Sequence, residues 1–177
     1  MESKITRERL ITFLLETPMY ENLDPSEIME IIHIVDVEQY QAGETIFAEG
    51  DAGDAWFVLY RGAVEVLKHG QAGEKKITEL GPQACFGEIS ILDGSPRSAT
   101  IRATEDSIVF RVSRDSFVEL IHDDHLVAYK LMHQMAILLA ERQRTTTYRL
   151  SELLKAEGIS DVHSGIRTII GESSVRE

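Results

Sequence analysis

Between residues 35 and 112, apolar and polar side chains alternate with a period of two, the spacing of a half-buried β-strand. Glycines and other turn-forming residues separate these runs at short intervals, so the chain can reverse direction after each run. Many short strands at this spacing favour an antiparallel barrel or jelly roll, because parallel strands need long crossover connections. The predicted strands cover residues 37–40, 45–48, 56–60, 63–68, 75–80, 98–104 and 107–112.

Helical periodicity precedes this strand region. Residues 3–16 carry a helical stripe of isoleucine and leucine side chains. A second helix is predicted to begin after Asp24, which is suited to cap it, with Pro25 at the first helical position and Glu27 completing a capping box. We expect this second helix to run through Ile34.

Helical periodicity also follows the strands. Ser113 is predicted to cap a short helix, and a longer periodic stretch covers residues 125–157, with Gly158 as its C-terminal glycine. Three consecutive threonines at residues 145–147 are poor helix formers. The long stretch is therefore either one helix or two.

These patterns predict a mainly β fold with flanking α-helices. The expected architecture is an antiparallel β-barrel of the double-stranded β-helix or jelly-roll type, with N-terminal helices and a long C-terminal helix. The expected segments are an N-terminal helix at 1–17, the β-barrel at 18–124, a lid or dimerisation helix at 125–157, and a flexible tail at 158–177.

Composition excludes several classes of protein. The 177 residues carry a net charge of −12, which argues against a chain that wraps a nucleic acid polymer. No apolar run approaches the ~18 residues of a membrane span, and the first residues lack a signal-peptide pattern. The single cysteine, Cys85, excludes a disulfide framework and fits a reducing compartment. We therefore expect a cytoplasmic protein.

The negative charge is distributed unevenly along the chain. Residues 1–60 have a net charge of −10, whereas residues 125–157 have a net charge of +2. One interpretation is an acidic, solvated surface that aids solubility. The other is a surface that repels anions except at one prepared site.

The stretch at residues 86–100 combines the groups needed to bind one phosphate. Gly87 permits close approach of the backbone after a strand, and residues 88–92 are long enough for one helical turn with free N–H groups. Arg97 follows and can present a bidentate guanidinium to a phosphate or carboxylate. Glu88 can accept hydrogen bonds from a sugar hydroxyl. Together these residues predict a cradle for one phosphate.

This stretch resembles the phosphate-binding cassette of cyclic nucleotide-binding domains, the family of catabolite activator proteins and protein kinase A regulatory subunits. The resemblance extends to residues 49–66, which look like the second glycine-rich stretch of the family. It extends also to residues 20–25, which look like the entry into the barrel. In total it covers about residues 18–145.

The resemblance implies a role for each residue of the cassette. Glu88 would bind the ribose 2′-hydroxyl, and Gly87 would make room for the sugar. Arg97 would pair with the exocyclic oxygen of the cyclic phosphate. The backbone N–H groups of Ser90 and Ser98 would donate hydrogen bonds to that phosphate.

The resemblance also implies what surrounds the nucleotide. Ile89 belongs to the same ligand-binding turn, and the C-terminal helix would cap the base, with Arg142 and Gln143 at base height. The expected ligand is cAMP, although the hydroxyl of Ser98 could contact a syn purine and so leaves cGMP as an alternative. No metal and no other cofactor is expected.

The predicted function is that of a receptor or sensor and not of an enzyme. The sequence lacks a nucleophile elbow and the usual zinc motifs. It also lacks the helix-turn-helix domain that DNA-binding family members carry after the long helix. We expect a stand-alone module that signals through an unknown effector protein or its own dimer. Leu131, Met135 and Leu138 are spaced like a dimer seam, or they pack on their own barrel.

Two alternatives remain open from the sequence. A jelly-roll metalloenzyme would need clustered histidines and carboxylates on its strands, where the sequence places only His69. A degenerate scaffold would use the fold for dimerisation without binding nucleotide. The presence of Gly87, Glu88 and Arg97 together argues against that second alternative.

Overall fold

The structure is a computed structural model that describes residues 5–70, 73–122 and 125–156. It divides into two compact units, Met1–Met135 and Ala136–Glu177. The helices are α1 (Arg7–Leu15), α2 (Pro25–Ile32), α3 (Glu88–Asp93), α4 (Arg114–His122) and α5 (Leu126–Ala156), with a 3-10 helix at Pro18–Tyr20. The strands are β1 (Val35–Tyr40), β2 (Thr45–Phe47), β3 (Ala55–Arg61), β4 (Val64–Gly70), β5 (Gly73–Leu80), β6 (Cys85–Phe86), β7 (Thr100–Ala103) and β8 (Ser107–Ser113).

The strands form two four-stranded antiparallel sheets with the orders β1-β8-β3-β6 and β2-β7-β4-β5. The predicted jelly-roll architecture with flanking helices is confirmed. Each of the seven predicted strands overlaps one strand of the structure. The sequence pattern does not reveal β6, because a two-residue strand is too short to show a period.

The main core of the first unit lies between the two sheets. Phe57 of β3 and Phe86 of β6 stack with their ring centroids 5.4 Å apart. Burial of these large apolar side chains favours the packing of one sheet on the other. The buried members of this core are Ala55, Phe57, Leu59, Val64, Phe86, Ile101 and Val109.

The opposite face of the β1-β8-β3-β6 sheet is covered by helices. Trp56 of β3 packs edge-on against Phe117 of α4, with centroids 4.9 Å apart. Phe13 of α1 makes similar edge contacts with Tyr60 at 4.9 Å and with Phe110 at 5.5 Å. Because both of its faces are covered, β3 is buried over most of its length.

The predicted helix caps before the sheets and after β8 are present. The Asp24 carboxylate accepts hydrogen bonds from the N–H groups of Ser26 and Glu27, and the Glu27 side chain accepts one from Asp24 N–H. This capping box starts α2, which ends at Ile32, two residues earlier than predicted. The hydroxyl of Ser113 accepts a hydrogen bond from Ser116 N–H in the first turn of α4.

The long C-terminal periodic stretch forms one helix. α5 continues through the threonines, and the hydroxyls of Thr145 and Thr146 donate to the carbonyls four residues earlier. Such bonds satisfy the hydroxyls and let the helix continue. Gly158 and the predicted tail at 158–177 lie outside the described residues.

Part of the apolar stripe of α5 is buried within the chain. Leu131 and Met135 are completely buried in the single chain, which favours packing on their own domain. Their burial favours the interpretation that they pack within their own chain over that of a dimer seam, and a homodimer through the C-terminal helix stays a prediction. Leu138 is half-buried in the second unit. Within the described residues, no helix is long and apolar enough to cross a membrane.

Candidate ligand-binding site

The cassette, residues 86–100, is the turn that connects one sheet to the other, and it contains α3. Gly87 follows β6 with φ +81° and precedes α3, and Gly94 ends α3 with φ +74°. Both values lie in the left-handed region, which glycine adopts without a steric penalty. A Cβ atom at position 87 would lie 2.9 Å from Nη1 of Arg97. The glycine therefore lets the arginine approach the backbone of the turn.

Arg97 is a buried charged residue at the centre of this turn. Its side chain is 1% exposed. Nη1 donates to the carbonyl of Gly87 at 2.9 Å, Nη2 donates to Oδ1 of Asp54 at 3.1 Å, and the guanidinium carbon lies 4.2 Å from the ring centre of Phe47. Among the described residues, its Nε–H has no hydrogen-bond partner. Burial lowers the pKa of Arg97, and the Asp54 carboxylate opposes that shift.

The backbone around Arg97 is fixed by the glycine-rich loop between β2 and β3. Arg97 N–H donates to the carbonyl of Asp51 at 2.8 Å, and Gly50 N–H donates to the carbonyl of Arg97 at 2.9 Å. Gly53 approaches α3, because a Cβ built on it would lie 2.0 Å from Cβ of Ser90. The cassette and residues 49–66, the two stretches that resemble the family, are therefore in direct contact.

Asp54 connects this site to other elements. Its Oδ2 accepts a hydrogen bond from Nη2 of Arg111 on β8 at 2.7 Å, so one carboxylate is shared by two arginines. Its carbonyl accepts one from the N–H of Arg114, the first residue of α4, at 2.7 Å. The sequence pattern gives no sign of the roles of Asp54 and Arg111, because their partners are distant in sequence.

The structure brings together Gly87, Glu88, Ser90 and Arg97 of the predicted site. Glu88 and Ser90 are buried at 3% and 2% exposure, and their helix packs against β3. A buried carboxylate and a buried guanidinium on the same segment of chain offer an acceptor for hydroxyl groups and a donor for an anion. The arrangement can bind a polar, anionic ligand.

The remaining predicted residues are placed differently. Ile89 is 38% exposed on the outside of α3, and Ser98 is exposed in the loop before β7. The carbonyl of Ser98 accepts a hydrogen bond from Lys68 Nζ at 2.9 Å. Arg142 lies on α5 in the second unit, so its expected place beside a base stays a prediction. No cluster of three or more metal-ligating side chains occurs in the parts of the chain that are described.

Comparison with known proteins identifies the family of the domain. The profile of the cyclic nucleotide-binding domain family matches residues 37–124. The chain is 39% identical over 122 residues to a cAMP-dependent protein kinase regulatory subunit of Aspergillus niger, covering 68% of this chain and 29% of that protein. It is 33% identical over 138 residues to the cyclic AMP receptor protein of Thermus thermophilus, covering 77% of this chain and 62% of that protein. The chain thus spans less than two thirds of both relatives.

Solved structures show the same fold. The catabolite activator protein of Thermus thermophilus superposes with a TM-score of 0.68 at 31% identity, over 77% of this chain and 63% of that chain. A cyclic nucleotide-binding domain from Methylobacillus flagellatus superposes with a TM-score of 0.73 at 24% identity, over 82% of both chains. Through the domain that contains the cassette, this chain belongs to the cyclic nucleotide-binding domain family.

Proposed function

We propose that the protein is a cytoplasmic receptor for a cyclic nucleotide, with cAMP as the expected ligand and cGMP as the alternative. The observation that carries the proposal is Arg97, a buried guanidinium with one N–H group that has no partner among the described residues. A buried arginine is costly unless anions and acceptors surround it. The match to the family, and the cAMP-binding names of the relatives above, support a cyclic phosphate as that anion.

Each predicted site residue has a place in this proposal. Arg97 pairs with the exocyclic phosphate oxygen, and the N–H groups of Ser90 and Ser98 donate to the same phosphate. Glu88 accepts a hydrogen bond from the ribose 2′-hydroxyl, with Gly87 giving the sugar room and Ile89 flanking it on the same turn. The burial of Glu88 and Ser90 next to the Arg97 turn supports this assignment.

We place Arg142 of α5 at the nucleotide base, as the family resemblance implies. Substitution of Arg142 would then affect the contacts with the base and leave the contacts with the phosphate intact. The assignment predicts that Arg142→Ala changes the ratio of the cAMP and cGMP affinities, because the two ligands share the cyclic phosphate and differ in the base.

Ligand binding can change the contacts around Asp54. The phosphate and the Asp54 carboxylate compete for the same guanidinium, so binding weakens the 3.1 Å contact between Arg97 and Asp54. The carbonyl of Asp54 also holds the first N–H of α4. A movement of Asp54 therefore displaces the start of α4, the first helix after the sheets. A ligand that favours one of the two arrangements of Asp54 shifts the population towards it.

The output of the switch is a protein contact. We propose that the receptor acts on an effector protein or through its own homodimer, and that it performs no catalysis. The names of the relatives, a kinase regulatory subunit and a receptor protein, support regulation over chemistry. A dimer through α5 would have to use residues other than the buried Leu131 and Met135.

Calorimetric titration of the purified protein with cAMP, cGMP and cyclic dinucleotides tests the proposal. Thermal melts provide a second readout, because ligand at 100 times its dissociation constant stabilises a fold by about 2.7 kcal/mol. Arg97→Ala should weaken binding at least about tenfold, since it removes charge-assisted hydrogen bonds to the phosphate. Arg102→Ala is the matched control, because Arg102 pairs with Glu65 and Glu74 on β4 and β5, away from Arg97.

Three outcomes would overturn the proposal. Absence of binding to every cyclic nucleotide at millimolar concentration would leave the fold as a degenerate scaffold. Unchanged affinity in Arg97→Ala, with Arg102→Ala also unchanged, would show that the phosphate binds elsewhere. Metal-dependent turnover of a substrate would favour a jelly-roll metalloenzyme instead.

A further inference from the structure

A row of polar side chains extends from Arg97 along the inner face of one sheet. Phe57 and Val109 belong to the core between the sheets, and Arg111 faces the same side because it stands opposite Phe57 and two residues after Val109. Glu38 of β1 stands opposite Val109 and therefore faces the same side as well. Tyr40, two residues further along β1, packs against the core.

The contacts in this row are continuous. Asp54 is bound by Nη2 of Arg97 at 3.1 Å and by Nη2 of Arg111 at 2.7 Å. Nε of Arg111 lies 3.6 Å from Oε1 of Glu38, and the Tyr40 hydroxyl donates to Oε2 of Glu38 at 2.6 Å. Each carboxylate in the row is shared by two donors, so a change in one contact alters the strength of the next.

Water screens these contacts to different degrees, because the side chain of Asp54 is 67% exposed and the side chains nearer Tyr40 are more buried. The side chains of Arg111 and Glu38 are 21% and 34% exposed, and Tyr40 is half-buried. Burial raises the pKa of Tyr40, and its hydrogen bond to Glu38 raises it further, so the hydroxyl stays a neutral donor. Charges in such partly buried positions influence one another more strongly than charges on the open surface.

We propose that Tyr40 and Glu38 are positioning residues that act through Arg111 to set how tightly Asp54 holds Arg97, and hence the affinity for cyclic nucleotide. The proposal rests on the proposed function of the cassette. Arg111 is shared between Asp54 and Glu38, and its Nη1 also lies 3.7 Å from Oδ2 of the exposed Asp36. Asp54 is shared between Arg111 and Arg97. A stronger hold of Arg111 on Asp54 leaves Arg97 freer to bind a phosphate.

The sign of each effect follows from this sharing. The Tyr40 hydroxyl satisfies one oxygen of Glu38, and without it Glu38 becomes a stronger acceptor for Arg111. Arg111 then moves its charge from Asp54 towards Glu38, and Asp54 binds Arg97 more tightly. The phosphate of the ligand meets a stronger competitor, so the affinity falls.

A double-mutant cycle tests the proposal in the full chain. Tyr40→Phe should weaken cAMP binding about threefold, and the same change in a Glu38→Gln background should have no effect, because the neutral amide competes little for Arg111. Tyr40→Phe removes no charge, so a long-range electrostatic effect on the anionic ligand is excluded. Tyr60→Phe is the matched control, since Tyr60 contacts Phe13 and Phe110 on the other face of the sheet.

A second measurement needs no ligand. Nitrogen-15 NMR of the arginine side chains reports how fast the Arg97 guanidinium rotates about its Nε–Cζ bond. Tyr40→Phe should slow this rotation, because Asp54 holds the guanidinium more tightly, and the double variant should rotate as Glu38→Gln does. A purely structural role of Tyr40 would lower the melting temperature in both backgrounds and leave the rotation unchanged.

The outcomes separate the two proposals. If the parent protein binds no cyclic nucleotide, the proposed function fails, and the rotation rates alone decide whether the row transmits the change. If cAMP binds but Tyr40→Phe weakens it equally in both backgrounds, or not at all, the positioning role of Tyr40 and Glu38 is wrong. An affinity loss confined to the parent background, with slower rotation, supports it.

Discussion

Gly53 and Ser90 approach each other more closely than a larger residue at position 53 would allow. A Cβ atom on Gly53 would lie 2.0 Å from Cβ of Ser90 and 2.8 Å from its hydroxyl oxygen. Both atoms belong to a buried side chain on α3, which cannot move without displacing the helix. At the scale of single residues, the lack of a side chain at position 53 lets the β2–β3 loop lie directly against the cassette.

Gly53→Ala should therefore destabilise the protein by about 1–3 kcal/mol, the usual cost of overpacking a buried contact. Gly81→Ala is the matched control, because among the described residues nothing lies within 4 Å of a Cβ built there and its φ is not positive. Urea unfolding of the two variants and the parent measures the difference. Equal stability of both variants would contradict the close contact.

The residues of the site divide into those that a local pattern reveals and those that it does not. Gly87, Glu88 and Arg97 lie within eleven positions, so their spacing alone predicted a phosphate cradle. Asp54 binds Arg97 across 43 positions, and Phe47 stacks under it from another strand. Neither contact leaves a periodic signal, because the fold creates both by bringing distant strands together.

At the scale of elements, local patterns predicted the long strands and the capped helices, and failed where tertiary contacts decide. The two-residue β6 has no room for periodicity, whereas the helical turn expected at residues 88–92 is present as α3. The course of α5 through three threonines was undecided from propensity, which is a weak guide when packing contributes more. Gln134 on α5 makes one of these tertiary contacts, with the segment that precedes α2.

Gln134→Leu should destabilise the first unit by about 1–3 kcal/mol, because it leaves buried polar groups without partners. The Gln134 amide accepts a hydrogen bond from Asn22 at 2.8 Å and donates one to the carbonyl of Pro18 at 2.8 Å, and the residue is 4% exposed. Gln143→Leu, at an exposed position of the same helix, is the control. The melting temperatures of both variants decide, and an equal change in the two would refute the role of Gln134.

The capping box of α2 makes stability depend on pH. Hydrogen bonds from Ser26 and Glu27 lower the pKa of Asp24, so the ionised carboxylate stabilises the folded state. This contribution is complete above the ordinary pKa of aspartate and is lost as the pH falls through the lowered value. Asp24→Ala should lower the melting temperature at neutral pH, and the difference from the parent should shrink in acid. A difference that stays constant with pH would show that the charge of Asp24 contributes nothing.

At the scale of the whole molecule, the net charge of −12 opposes the approach of an anion, while Arg97 attracts it locally. These two effects respond differently to salt. Residues 1–60 contribute −10 of this net charge, and exposed charges act on an anion over long distances through water. The screening length falls from about 30 Å at 0.01 M salt to about 10 Å at 0.1 M, so salt weakens the repulsion. The contact with Arg97 is buried and is screened much less.

We therefore predict that affinity for cAMP rises about twofold when salt increases from 0.01 M to 0.1 M. A binding site dominated by exposed basic residues would behave in the opposite way, because salt would weaken its attraction for the phosphate. Calorimetric titration at several salt concentrations measures how the affinity depends on salt. The Arg102→Ala variant should show a slightly steeper rise, since its net charge is one unit more negative. Affinity that falls with salt would mean that exposed cations, and not a buried guanidinium within an acidic molecule, bind the phosphate.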